Sequence, residues 1–258
     1  MLSKIRSAIE QSVAEANETE DRPTWKEPLV AGVRADHPDF ATLKTAVAPT
    51  HLLPEDVLAG AKSVVCFFIP FGDFVAESNR EPGAASAEWA HAYVSTNALI
   101  AAISDRVETL LEAEGFSAGK IPATHNFDEV TLMSDWSHRH IARIAGLGEF
   151  GINNMLITEA GSCGRLGSIV TDCELDIAPI PPSHRERCLF KLNGSCGACI
   201  KRCEAGAYER KENGAIAFNR ARCYAVCLAN AERHKPLGYA DVCGKCLVGL
   251  PCSTRSPV

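Results

Sequence analysis

Eight cysteines in the last seventy-one residues fall into two runs, Cys188, Cys196, Cys199 and Cys203, then Cys223, Cys243, Cys246 and Cys252. Each run holds one Cys-x-x-Cys pair with an outlying cysteine on either side, and Pro251 precedes the last. A Cys-x-x-Cys turn puts two sulfurs on the same side of the chain, so it supplies two corners of a metal centre, and the outlying cysteines supply the rest. This is the arithmetic of two four-thiolate sites, which reads as two [4Fe–4S] clusters and hence as electron transfer. Structural zinc is the alternative, because two Cys-x-x-Cys pairs also make a ribbon. The pairs 196/199 and 243/246 are too far apart in the chain for a compact ribbon, and zinc leaves Cys203 and Cys252 unexplained.

In two-cluster bacterial ferredoxins the fourth cysteine of each run ligates the other cluster. That cross-over assigns Cys188, Cys196, Cys199 and Cys252 to one cluster and Cys203, Cys223, Cys243 and Cys246 to the other. Cys227, four residues after Cys223, is a spare that can replace it. Cys66 lies in an apolar run and reads as a core residue, and burial is the expectation for Cys163 and Cys173 as well.

Gly146, Gly148 and Gly151 spell G-x-G-x-x-G. A dinucleotide fingerprint follows a strand and opens a helix. Here the glycines follow a helical pattern and lead towards a strand, which argues against nicotinamide binding and for a tight turn. A glycine backbone can also lie flat against a planar cofactor, and a second glycine-rich turn, Gly161 to Gly167, extends the same wall. His138 and His140 are two apart, so they share no helix face and make no metal pair. At least one is expected to face solvent, and either can donate a proton near neutrality.

The elements that must position these residues read as α+β or α/β. Residues 3–16 form a helix with Ile5, Ile9 and Val13 on one face. Residues 17–60 are mixed, broken by five prolines. Ser63 to Phe71 is a buried strand, and 87–114 a long helix with Leu99, Ile103, Val107, Leu110 and Leu111 as its apolar stripe. A helix over 135–145 begins at a cap, Ser134 or Asp135, and short strands follow at 155–158 and 168–171. The proline-rich stretch at 176–182 marks a boundary near 185, giving an α/β domain, 1–185, and a small ferredoxin-like cluster domain, 186–258.

Of the 258 residues 46% are hydrophobic and 22% charged, enough for a core. The net charge of −6, with no run of Lys or Arg, argues against a nucleic-acid surface. No secretory signal is present and no apolar segment reaches eighteen residues, so the expectation is a cytoplasmic protein off the membrane. Twelve cysteines in that setting favour metal chemistry over disulfides.

The stretch IARIAGLGEFGINNMLITEAGSCGRLGSIVTD, residues 141–172, resembles the central block of epoxyqueuosine reductase and its short relatives and, more distantly, is similar to reductive dehalogenases. GSCGACIKRCEAGA, RARCYAVC and VCGKCLVGLPC fit the family's C-terminal cysteine pattern, with Asn193 standing where it has another cysteine. The resemblance covers about residues 55–255. It implies an α/β domain that binds cobalamin, walled by Gly146, Gly148, Gly151, Asn153, Asn154, Gly164 and Gly167, beside the two-cluster module. It also implies an aspartate proton donor ahead of the glycines, for which Asp128, Glu129 and Asp135 are candidates and Asp135 is favoured. The family's tRNA-acting members continue into a helical repeat domain, and this sequence ends at Val258.

The resulting expectation is an iron–sulfur oxidoreductase. A ferredoxin, flavodoxin or reductase reduces it, and electrons cross the clusters to a corrinoid that reduces a small-molecule substrate or redox partner. The competing expectation is a ferredoxin-type electron carrier without a substrate of its own.

Overall fold

The computed structural model describes residues 1–123, 127–177 and 186–258. In chain order its helices are α1 (Leu2–Asn17), α2 (Asp39–Ala46), α3 (Pro54–Val57), α4 (Asp73–Ser78), α5 (Ala87–Ala113), α6 (His138–Ile144), α7 (Leu189–Asn193), α8 (Ala198–Lys201) and α9 (Arg220–Arg233). Its strands are β1 (Leu29–Arg34), β2 (Ser63–Pro70), β3 (Ala118–Lys120), β4 (Gly148–Phe150), β5 (Leu156–Thr158), β6 (Gly164–Thr171), β7 (Tyr208–Arg210) and β8 (Ile216–Phe218). The fold class is α+β. The described cysteines are all free thiols.

The chain forms two compact units, and neither is one continuous stretch. The first takes Met1–Ile69, Asn97–Leu147 and the segment from Arg165; the second takes Pro70–Thr96, Gly148–Gly164 and the cysteine-rich C-terminal part. The expected boundary near residue 185 lies outside the described residues. A division into 1–185 and 186–258 would separate the hairpin β4–β5 and α4 from the cysteines, whereas those elements belong to the same compact unit as the cysteines.

The first unit is built on a four-stranded sheet of order β1-β2-β6-β3. β2 is buried at every position, as an unbroken apolar run dictates for a central strand. β1 pairs antiparallel with β2, Ala31 opposite Cys66, and β3 pairs antiparallel with β6, Gly119 opposite Val170. Ile5, Ile9 and Val13 of α1 are buried, and so are Leu99, Ile103, Val107 and Leu111 of α5; Leu110 is half-buried.

Three elements depart from the expectations. β1 lies in the proline-broken 17–60 stretch, where only pairing with β2 reveals it. β6 starts at Gly164 rather than 168, so Gly164 and Gly167 are strand residues. A Cβ on Gly167 would collide with the Phe67 ring of β2, and the strand tolerates a glycine there because its neighbour needs the space. Finally, α6 begins at His138 after Ser137, and no side chain caps it. Ser134 turns its hydroxyl to Trp136 O (3.0 Å) instead. Leu52 N–H donates to Asp135 O (2.8 Å), holding Asp135 outside the helix.

The second unit carries the hairpins β4–β5 and β7–β8, each antiparallel, with α4, α7, α8 and α9. Trp89, near the start of α5, is 2% exposed and meets Phe71 edge to face, centroids 5.2 Å apart.

Candidate metal centre

The four cysteines Cys188, Cys196, Cys199 and Cys252 line one pocket of the second unit. Cys188 precedes α7, Cys196 lies between α7 and α8, Cys199 is within α8, and Cys252 comes from the C-terminal turn. Ile157, Phe190 and Leu250 give the pocket apolar walls around an empty volume of about 360 Å³ that includes open solvent. Burial pushes the Cys199 thiol up to about 12, and the sulfurs of Cys252, Cys188 and Cys196 push in the same direction. Cys252 rises to about 11 by burial and then by Cys188 and Cys196. Thiolates this close repel, so each is harder to ionise until a cation core stands between them.

Cys203, Cys223, Cys243 and Cys246 make a second group. Burial raises Cys246 to about 12; a Tyr208 hydrogen bond opposes this, and the charges of Cys223, Cys243 and Cys203 add to it. Cys243 is raised by burial and by Cys223 and Cys203, against a backbone hydrogen bond from Lys245. Cys223 is in the first turn of α9, and Cys227 follows one turn later on the same face. A hydrogen bond to Cys223, then burial, holds the Cys227 thiol protonated far above its ordinary range. Five thiols therefore border this group.

Donors aim at the sulfurs. Ala207 N–H donates to Cys203 Sγ (3.4 Å), and the Tyr208 hydroxyl lies 3.9 Å from Cys246 Sγ. The same hydroxyl donates to Asn153 O (2.9 Å), and Asn153 Nδ2 donates to Cys246 O (2.8 Å). Ser162 Oγ donates to Cys252 O (2.9 Å), and Ser162 N–H and Cys163 N–H both donate to Ser253 O. The β4–β5 region thus fixes the backbone of two of the cysteine turns.

Among the described residues no three His, Cys, Asp or Glu side chains are gathered tightly enough to hold one metal ion. A zinc ion with bonds of about 2.3 Å draws its four thiolates almost into contact. A four-iron cuboid holds them at its corners, farther apart.

The residues named as a cofactor wall are spread over both units. Asp135, Gly146 and Gly167 belong to the first; Gly148, Gly151, Asn153, Asn154 and Gly164 belong to the second. Gly146, with φ 79°, closes α6, and Leu147 N–H reaches back to Ala142 O (2.9 Å). A Cβ on Gly148 would collide with the Ile157 backbone across the hairpin, and one on Gly151 would stand 2.7 Å from Asn153 Oδ1. Asn154 is a left-handed turn residue with φ 60°. The chain's own packing thus accounts for glycine at positions 148 and 167.

In the first unit, Asp135 is half-buried and its Oδ1 accepts from Thr50 Oγ1 (2.6 Å). His138 is buried. Trp136 Nε1–H donates to Ser168 Oγ (2.9 Å), which lies 2.8 Å from His138 Nδ1, while His138 Nε2 is 2.9 Å from Pro122 O. One tautomer satisfies the whole chain, with Nε2 protonated and Nδ1 accepting. His140 is half-buried, 2.7 Å from Ser137 Oγ, and burial followed by the charges of Arg139, His51 and Arg143 lowers it to about 4. His51, which the sequence did not single out, stacks on Trp136 at 5.7 Å and accepts from Ser137 N–H (3.0 Å). Cys66, Cys163 and Cys173 are buried as expected. No motif announced His51, Ser168, Tyr208 or Lys245; only their contacts do.

No family model matches the chain. An epoxyqueuosine reductase of Francisella cf. novicida (strain Fx1) is 33% identical over 100 residues, 38% of this chain and 26% of that protein. An epoxyqueuosine reductase structure from Bacillus subtilis, with its catalytic loop swung out of the active site, matches with TM-score 0.55 and 18% identity over 96% of this chain and 66% of that one. An epoxyqueuosine reductase with a modified tRNA-Tyr stem loop matches with TM-score 0.51 and 17% identity, over 97% and 64%. A catabolic reductive dehalogenase matches with TM-score 0.57 and 17% identity, over 88% and 30%. The chain spans about a quarter of the curated relative and two thirds or less of these solved chains. It shares the fold of both groups and resembles epoxyqueuosine reductase in sequence.

Proposed function

We propose that this chain is an iron–sulfur reductase that moves electrons through two [4Fe–4S] clusters. One cluster would be held by Cys188, Cys196, Cys199 and Cys252, the other by Cys203, Cys223, Cys243 and Cys246. The observation that carries this reading is the grouping itself: Cys188, Cys196, Cys199 and Cys252 line one pocket, so the last cysteine of the second run stands with three of the first, and Cys203 of the first run acts on Cys243 and Cys246 of the second. When bound, such clusters supply one-electron transfer. The chain's residues do the rest. Apolar walls at Ile157, Phe190 and Leu250 limit water at the first site, and Ala207 N–H stabilises thiolate charge at the second.

The similarity to epoxyqueuosine reductase and the shared fold support the reductase part. They are also the support for a corrinoid as its electron acceptor. Asp135, held by Thr50, is proposed as a proton donor to the reduced substrate. The second reading is an electron carrier without a substrate of its own.

Charge distribution bears on the partners. Residues 186–258 hold 12 Lys and Arg against 6 Asp and Glu, in a chain of 26 against 32. Exposed Lys201, Arg210, Lys211, Arg220, Arg222 and Arg233 make no ion pair among the described residues. The argument from a net charge of −6 against nucleic acid therefore fails for this segment. An acidic donor such as a ferredoxin or flavodoxin fits it, and a tRNA stem loop belongs among the substrates tested.

The test is anaerobic cluster loading followed by iron and sulfide analysis and an EPR titration with cob(II)alamin. Four irons and four sulfides in each of two clusters, with a saturable change in the cobalt spectrum, are expected of a corrinoid reductase. Loaded clusters with an unchanged cobalt spectrum select the electron carrier. Zinc without sulfide ends both readings.

A further inference from the structure

Lys245 stands inside the second Cys-x-x-Cys, between Cys243 and Cys246, and is only 2% exposed. Its Nζ donates to three oxygens: Asn79 O (3.0 Å), Asn79 Oδ1 (3.0 Å) and Glu81 O (2.6 Å). Three acceptors around one nitrogen are the pattern of an ammonium, which has three protons to give. All three are neutral groups, and among the described residues no carboxylate is within ion-pair distance of this nitrogen. A buried charge satisfied only by neutral dipoles is costly unless a counter-charge is near. The groups that can supply one are the thiolates on either side of it.

The loop that carries Lys245 is fixed. A Cβ on Gly244, at φ 73°, would collide with the Trp89 indole, so this position of the Cys-x-x-Cys turn is pressed against a buried ring. Asn79, fully buried, donates from Nδ2 to Cys243 O (2.9 Å) while its Oδ1 accepts from the lysine. Arg202 adds a second cation nearby: its Nε donates to Lys245 O (3.4 Å) and its Nη2 to Arg80 O. The carboxylates that bear on Lys245, Glu204 and Glu81, are both exposed, so solvent screens them.

We propose that Lys245 is a positioning residue that tunes the cluster held by Cys203, Cys223, Cys243 and Cys246, raising its reduction potential relative to its partner's. The proposal rests on the two-cluster reading above. Four thiolates make a loaded cluster anionic, and reduction adds a further negative charge. A buried ammonium whose charge acts on one of its ligands, Cys243, favours the reduced form, and the low surrounding dielectric leaves that effect weakly screened. The other group has no such lysine, since Cys196 and Cys199 enclose only Gly197 and Ala198, and the cation that lines its pocket, Arg187, stands 3.9 Å from the Glu159 carboxylate. Lys245 thereby biases electrons to settle on the second cluster.

The experiment is a mediated dithionite titration of the loaded protein, followed by EPR, for wild type, Lys245→Gln and Lys245→Arg. Iron and sulfide content is measured first, so failure of the two-cluster reading shows separately as absent clusters. In Lys245→Gln one cluster is expected to become harder to reduce by at least about tenfold in its reduced-to-oxidised ratio at fixed potential, about 59 mV for a one-electron couple. The other cluster is expected not to move, and Lys245→Arg to stay near wild type. Equal shifts in both clusters, or none in either, overturn the proposal. If Lys245→Gln does not load, isosteric Asn79→Asp, which puts a carboxylate on the ammonium, is expected to move the same cluster the same way. Failure of both variants to load makes the lysine purely structural and also overturns it.

Discussion

Cysteine roles separate by what each thiol touches. Cys199 is buried among three other thiols of its group, so Cys199→Ala is expected to remove one cluster and leave the other; iron content near half of wild type, with one EPR signal lost, checks this. Cys227 shares a hydrogen bond with Cys223, one helical turn away, and is proposed as a neighbour of the second group rather than a ligand. Cys227→Ala is therefore expected to keep both clusters, and loss of one would exchange the roles of Cys223 and Cys227. His140 gives a pH prediction. Its folded value of about 4 is below the ordinary histidine value, so between about 4 and 6.5 the unfolded chain binds the extra proton. Stability from this residue is complete above about 6.5 and is lost as pH falls towards 4. Thermal melts of wild type and His140→Gln should diverge in pH dependence across that window and run parallel above it.

At the scale of elements, the glycine-rich block is a set of close backbone approaches. β6 can lie beside β2 because Gly167 leaves room for Phe67, and β4 can pair with β5 because Gly148 leaves room for the Ile157 backbone. Gly167→Ala is expected to cost about 1–3 kcal/mol, as for other overpacked cores, measured by denaturant unfolding. Phe67→Leu in the same chain should recover part of it, because the obstacle is a side chain. Gly148→Ala meets backbone, which no second substitution removes, and its loss should resist rescue. These glycines were visible in the sequence; their reason was not, since a turn, a cofactor wall and a strand crossing all select glycine. The start of α6 was misread for a related cause. Ser134 and Asp135 are good cap residues by type, but Leu52 and Thr50, more than eighty residues earlier, hold Asp135 outside the helix.

For the whole molecule, the uneven charge matters more than its sum. Several basic residues elsewhere are paired, as in Lys4–Glu114 (2.5 Å), Arg106–Glu15 (2.8 Å) and Lys120–Asp105 (2.8 Å), whereas six exposed bases of the cysteine-rich segment make no ion pair among the described residues. Reduction by an acidic donor protein is expected to slow on the order of tenfold as salt is raised from low to high ionic strength, because the attraction acts through solvent. Stopped-flow reduction at several salt concentrations checks this, and a flat profile would remove electrostatic docking from the account. No helix of the described residues is long and apolar enough to cross a membrane.

The sequence by itself determined the chemistry on offer and the main frame. Cysteine spacing announces thiolate centres, and the apolar periods of α1, β2 and α5 announce buried faces, because both signals are local and repeat at short range. Tertiary structure alone decided what distant residues do to one another. It placed Tyr208 over Cys246, set Gly167 against the Phe67 ring and buried Lys245 on neutral acceptors. Each of these is a contact between segments tens of residues apart or more, and such contacts leave no period in the sequence to read.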